Sequence, residues 1–286
     1  MKRRLRHIVL AAAFLNGAGV ACATDLPSPT TAPAPPPASS QWIVTLSGEF
    51  FMAPAYPGAK YYNPYGAPGI SVRPADEPER FSTPDESFGI SLYDNSWLHI
   101  GPVGRYIGSR PVANHPELRG LPSVDPSIEI GGFVELTPLP WMRAKVEALQ
   151  AVDGNDGLQA IVYADAWRRF GDLTLSIGPR FYFGSNKFVD AYFSVTPQQS
   201  AINIKSGGQL TPYDASGGLI SYGLESIARY DINETWRVTG FGGYERLAGS
   251  AAGSPIPLHA GSLDQFNVGL EIGYRFKTES WFGFSF

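Results

Sequence analysis

The sequence predicts an all-β chain that folds as a transmembrane, antiparallel, up-and-down β-barrel of about ten strands. Three observations carry this. First, residues 265–276 alternate without a fault: Phe266, Val268, Leu270, Ile272, Tyr274 and Phe276 on one side, Gln265, Asn267, Gly269, Glu271, Gly273 and Arg275 on the other. Twelve alternating residues exceed the strand of about 5–6 common in soluble sheets and suit a tilted bilayer-spanning strand of about 9–11. Second, the chain is 43% hydrophobic and 13% aromatic but only 17% charged, with 32 Gly, which is the balance of an aromatic-rich β protein. Third, short turns and long connections alternate along the chain, as they do in barrels of the Gram-negative outer membrane.

The ends are organised differently from the middle. Lys2, Arg3, Arg4 and Arg6 precede an apolar run at 8–15, and Ala21-Cys22-Ala23 offers a small-residue cleavage site, so residues 1–23 read as a signal peptide. The run is shorter than the roughly 20 residues of a spanning helix. Gly19-Val20-Ala21-Cys22 is the alternative reading, a lipoprotein box, although Gly19 stands where Leu is usual. Export with cleavage removes four cations and no anion, so the mature chain is more acidic than the full chain's net charge of -4. Residues 24–40 hold six prolines between 26 and 40, too many fixed φ angles and missing donors for a helix or strand, and read as an extended periplasmic tether. The barrel is expected over 41–276, with 277–286 as a C-terminal tail.

The expected strands are 41–52, 87–94, 97–108, 127–137, 141–151, 158–170, 172–184, 218–230, 235–246 and 264–276. Tight turns at 94–96, 138–140, 171–172 and 231–235 belong to the periplasmic side. Connections at 53–86, 109–126, 152–157, 185–217 and 247–262 belong outside. Trp42, Trp97, Trp141, Trp167, Trp236 and Trp281 then all fall at the periplasmic end, as an interfacial aromatic girdle would. Twelve strands is the alternative, if Ile70–Arg73 and Tyr192–Thr196 each span the bilayer.

On this register Arg105, Arg143, Lys145, Arg180, Arg229, Arg237 and Arg275 face the lumen, opposite Glu49, Glu129, Glu135, Glu147, Asp165, Glu225, Glu245 and Glu271. An ion-selective pore would show a ring of one sign, and a wide channel would need more strands. A narrow barrel filled by paired charges is therefore expected. His99 falls on a strand, His115 and His259 in loops, and none adjoins a nucleophile motif, so the chain is read as non-enzymatic. Gly154-Asn155-Asp156-Gly157 and Ser206-Gly207-Gly208 lack the strand-to-helix context of phosphate loops and read as turns. Tyr56, Tyr61, Tyr62 and Tyr65 are placed in the first long loop, either packed on itself or as a surface-binding platform. The single cysteine, Cys22, lies in the leader, which excludes disulfides and thiolate metal sites from the mature chain. With no basic block, nucleic acid is not an expected partner. No catalytic, cofactor-binding or metal-binding residue is assigned, and no cofactor is expected.

Several stretches carry a family resemblance: Pro54-Ala55-Tyr56-Pro57-Gly58, Gly101-Pro102-Val103-Gly104-Arg105-Tyr106, and Arg110 followed by Leu118-Arg119-Gly120-Leu121. To these add Tyr192-Phe193-Ser194-Val195-Thr196, Tyr213 with Gly217-Gly218, Tyr244-Glu245-Arg246-Leu247 with Ser254-Pro255-Ile256, and Tyr274-Arg275-Phe276. In order and spacing the chain resembles the MltA-interacting protein family, MipA/OmpV, over about 41–276. The sequence departs from the family at Asn155, where a histidine is common, and in continuing past Phe276.

The resemblance implies a non-enzymatic protein of the cell outer membrane, in contact with outer-membrane lipid and lipopolysaccharide. It further implies a scaffold linking a lytic murein transglycosylase to a bifunctional penicillin-binding protein in peptidoglycan remodelling. A surface adhesin or a narrow solute or antibiotic channel is the alternative.

Overall fold

The computed structural model describes residues 41–279. The expected signal peptide, the tether and the tail from residue 280 onward lie outside the described residues. The strands are β1 (Trp42–Pro54), β2 (Tyr62–Pro74), β3 (Phe88–Gly89), β4 (Tyr93–Asp94), β5 (Leu98–Ile107), β6 (Ser127–Leu139), β7 (Met142–Ala151), β8 (Leu158–Phe170), β9 (Leu173–Gly184), β10 (Gly218–Asp231), β11 (Trp236–Leu247) and β12 (Asp264–Thr278). They form one antiparallel up-and-down sheet in the order β2-β1-β12-β11-β10-β9-β8-β7-β6-β5-β3, with β4 also on β5. First and last strands meet in register from Trp42 opposite Thr278 to Met52 opposite Val268. That pairing curls the sheet about a lumen.

Period-two patterning sets which side chains enter that lumen. Along β12 the outward Phe266, Val268, Leu270, Ile272, Tyr274 and Phe276 are all exposed, as a lipid-facing band requires. On the inner face Glu129, Arg143, Glu147, Asp165 and Arg180 are all buried. Trp236 stacks edge-on against Tyr274 at 4.9 Å on the lipid side. Trp167 departs from the expected girdle: it faces inward, because its position on β8 shares the parity of Tyr163 and Asp165.

One strand differs from expectation. The second long strand is β2, within the stretch read as an outer loop, whereas 87–94 supplies only the two-residue β3 and β4. Pro64 and Pro68 disguise β2 in the sequence, since proline removes a ladder donor. Both have the same parity, so their missing N–H groups fall on one side of the strand. β2 pairs only with β1, and its open edge needs no such donors. Tyr62 and Tyr65 are therefore strand residues, and the outer connection between β1 and β2 shrinks to 55–61. Of the two segments considered for a twelve-strand barrel, Ile70–Arg73 lies inside β2, while Tyr192–Thr196 ends a helix.

The outer connections form a packed cap rather than irregular loops. It contains α1 (Asn186–Phe193), α2 (Pro197–Lys205) and α3 (Gly249–Gly253). Helix α2 begins where Thr196 and Gln199 cap one another reciprocally and Pro197 opens the first turn. Apolar clusters join Tyr56, Leu118, Leu210 and Ile256, and Phe188, Tyr192, Phe193 and Leu247. Arg110 is buried among them and donates to the carbonyls of Tyr192 at 2.8 Å, Ala191 at 3.2 Å and Pro122 at 3.2 Å. Burial pulls its guanidinium down from its usual range, partly offset by Tyr192 and Tyr56. The Gly154–Gly157 turn is confirmed by left-handed φ at Gly154 and at Asp156.

Candidate functional site in the lumen

Residues 75–78 leave the periplasmic end of β2, and residues 79–87 run inside the barrel before β3 returns along β5. This segment was expected outside, as part of the 53–86 connection. Its position follows from charge. Asp76, Glu77, Glu79, Asp85 and Glu86 stand against a single cation, Arg80, and the wall opposite carries arginines.

The contacts climb the wall strand by strand. Glu79 pairs with Arg237 of β11 and sits 3.5 Å from Arg275 of β12, and both arginines also hold Asp231, at 2.7 and 3.0 Å. Arg229 of β10 donates to the Ser82 carbonyl at 2.6 Å. Asp85 accepts from Arg180 of β9 at 2.7 Å. Glu86 pairs with Arg143 of β7 and lies 2.6 Å from Lys145. Ser87 donates to Glu147 at 2.6 Å. Arg80 reaches across to Ser91 at 2.7 Å and Asp94 at 3.1 Å, tying the segment to the chain beside β5.

Two local devices shape the segment. Glu86 accepts from the backbone N–H of Thr83 at 2.6 Å and from its hydroxyl at 3.0 Å, closing a turn around Pro84. Phe81 lies on Trp167 with ring centroids 4.3 Å apart and planes 4° from parallel. The guanidiniums of Arg143 and Arg229 cover the Phe81 ring at 5.0 and 5.5 Å.

Arg143 is the hub. Only 1% of its side chain is exposed, and besides Glu86 it binds Asp165 at 2.8 Å and Glu135 at 3.1 Å and donates to the Phe81 carbonyl at 3.0 Å. Asp165 in turn accepts from Arg180 at 2.8 Å, so one carboxylate bridges two arginines. Burial favours the protonated form of Glu86, but Arg143 and Lys145 outweigh it and hold its carboxyl well below the usual range. At Glu79, too, the bond from Arg237 overcomes burial and lowers the carboxyl.

The expected lumenal charges are thus only partly brought together. Arg105 pairs with Glu129 at 2.7 Å, and Arg143, Lys145 and Arg180 share Glu135, Glu147 and Asp165. Glu49 faces Glu271 directly across β1 and β12, and neither meets a cation within ion-pair distance among the described residues. Glu225 is held instead by Asn267, at 3.1 Å. Sequence reasoning missed Glu79, Phe81, Asp85 and Glu86. The available signal was the acidic run, five carboxylates against Arg80 alone between residues 76 and 86.

The histidines are dispersed. His99 contacts Asp94 at 2.7 Å, and His115 contacts Glu117 at 3.3 Å beside Tyr56. The Tyr56 hydroxyl is pushed up by burial and by Glu117. No group of three or more His, Cys, Asp or Glu among the described residues could hold a metal ion.

A long-stranded antiparallel sheet, apolar outside and charged within, with one segment threaded through its lumen, defines an outer-membrane β-barrel protein. A family model described as MltA-interacting protein MipA matches residues 46–276. The chain belongs to that family. No curated protein sequence matches it. Among solved structures it is similar to an outer-membrane channel from Pseudomonas putida F1, with TM-score 0.40 and 9% identity over 82% of this chain and 95% of that one. It is also similar to the NanC porin, with TM-score 0.35 and 7% identity over 81% and 98%. A third is the CymD monoaromatic hydrocarbon channel, with TM-score 0.32 and 13% identity over 82% and 87%.

Proposed function

We propose that this protein is a non-enzymatic outer-membrane scaffold that holds a lytic murein transglycosylase, and with it a penicillin-binding protein, at the inner face of the outer membrane. The observation that carries the reading is membership of a family described by its interaction with MltA, over 46–276. The lumen supports it: the wall between β7 and β12 is occupied by residues 79–87, which favours an anchoring role over free passage of solutes. Binding would fall to the periplasmic surfaces, namely the turns after β4, β6, β8 and β10 and the two terminal segments. Signal-peptide cleavage after residue 23 would leave 24–40 as a tether on that side.

The test is cross-linking of the tagged protein in intact cells, followed by purification in detergent. A murein transglycosylase recovered above an unrelated-barrel control is the expected result. Its absence from a folded, well-expressed sample would contradict the scaffold.

A further inference from the structure

Apart from the donors Arg80 and Ser87, the lumenal segment is bound through acceptors. The Glu79, Asp85 and Glu86 carboxylates and the Phe81 and Ser82 carbonyls all receive from one track of cations: Arg143, Lys145, Arg180, Arg229, Arg237 and Arg275. Such a track is built to bind an anion, and here the chain supplies its own. The fit is incomplete at Arg229. That residue is 8% exposed, has no carboxylate within ion-pair distance among the described residues, and leaves its Nε without an acceptor. A buried guanidinium so placed is costly unless it meets a negative group. Next to it lies the flat slot between Trp167 and the guanidiniums of Arg143 and Arg229, filled by the Phe81 ring.

We propose that this track is a binding site for a small aromatic polycarboxylate, and that residues 79–87 occupy it as an internal surrogate which the ligand displaces. The ring of the ligand takes the Phe81 slot, and its carboxylates take the places of Asp85 and Glu86 on Arg180 and Arg143, with Arg229 gaining the carboxylate it lacks. The inference rests on the barrel and its lumen and is independent of the scaffold reading. An intramolecular competitor acts at an effective concentration of roughly millimolar, so wild-type affinity is weak and neutralising the segment strengthens it.

The probe is benzene-1,3,5-tricarboxylate, with sodium chloride at equal ionic strength as control, on full-length protein in detergent. Thr83→Cys places a thiol at a buried point of the segment. Its maleimide labelling is expected to rise about tenfold and saturably with the tricarboxylate, to respond little to chloride, and to lose this response when Arg229→Gln is added. Equilibrium dialysis provides the second arm should Thr83→Cys not fold: the triple variant E79Q/D85N/E86Q is expected to bind the tricarboxylate about tenfold more tightly than wild type. Heat-modifiable gel migration reports that each barrel is folded. Equal responses to tricarboxylate and chloride, or no gain in binding by the folded triple variant, would overturn the proposal.

Discussion

Phe81, on a segment with no regular secondary structure, lies flat against Trp167 of β8 at 4.3 Å, with planes 4° apart. The contact fixes the lumenal segment at mid-course, between the Glu79 pair and the Asp85–Glu86 pairs. It also explains why one tryptophan leaves the interfacial girdle: its partner is inside. Phe81→Ala removes the stack and two cation contacts, each worth about 0.5–1.5 kcal/mol. The expected outcome is increased proteolysis within 76–87, with the barrel's own unfolding midpoint little changed.

Arg143 should matter far more. Arg143→Met would leave Asp165, Glu135 and Glu86 short of their shared cation in a site where both Arg143 and Asp165 are 1% exposed. Breaking a buried pair from one side costs about 3–5 kcal/mol. Urea unfolding in lipid vesicles is expected to show a loss of that order, and Arg143→Lys to recover only part of it, since lysine cannot span three acceptors in one plane.

The segment should also respond to acid. Arg143 and Lys145 hold Glu86, and Arg237 holds Glu79, below the ordinary carboxylate range against the opposing effect of burial. A depressed folded-state pKa contributes stability that is complete above the unfolded value and is lost as pH falls through the folded value. A spin label at Ser82→Cys is therefore expected to stay immobilised from neutral pH down to about 5 and to become mobile only below about 4.

Arg110 organises the outer cap without a carboxylate. Three carbonyls, on Tyr192, Ala191 and Pro122, depend on its guanidinium. Arg110→Met would strand buried acceptors at about 1–3 kcal/mol each. Hydrogen exchange is expected to accelerate in α1 and α2 while the strands keep their protection.

Much of this architecture was legible in the sequence, and the failures have physical causes. Strands such as β6, β9 and β12 announce themselves because one face meets lipid and the other a charged lumen, which forces strict alternation. The inward register of Arg143, Lys145, Arg180 and Asp165 followed from the same rule. Strand β2 was hidden because Pro64 and Pro68 signal a break everywhere except along an open edge. Residues 79–87 were hidden for a different reason. They lack periodicity, and only the three-dimensional curl of the sheet places their carboxylates on distant arginines, Glu79 on Arg237 lying 158 positions away. The cap helices were too short for a 3.6-residue period to emerge, α1 having eight residues.

The central claim is that residues 79–87 lie inside the barrel, keyed to its arginines. A photoreactive benzoylphenylalanine replacing Phe81 in living cells tests it most directly, with the cross-linked peptides read by mass spectrometry. The expected products are intramolecular, joining residue 81 to peptides of β7 and β8 around Arg143 and Trp167. Cross-links to lipopolysaccharide or to extracellular probes, as an outer loop would give, would contradict it.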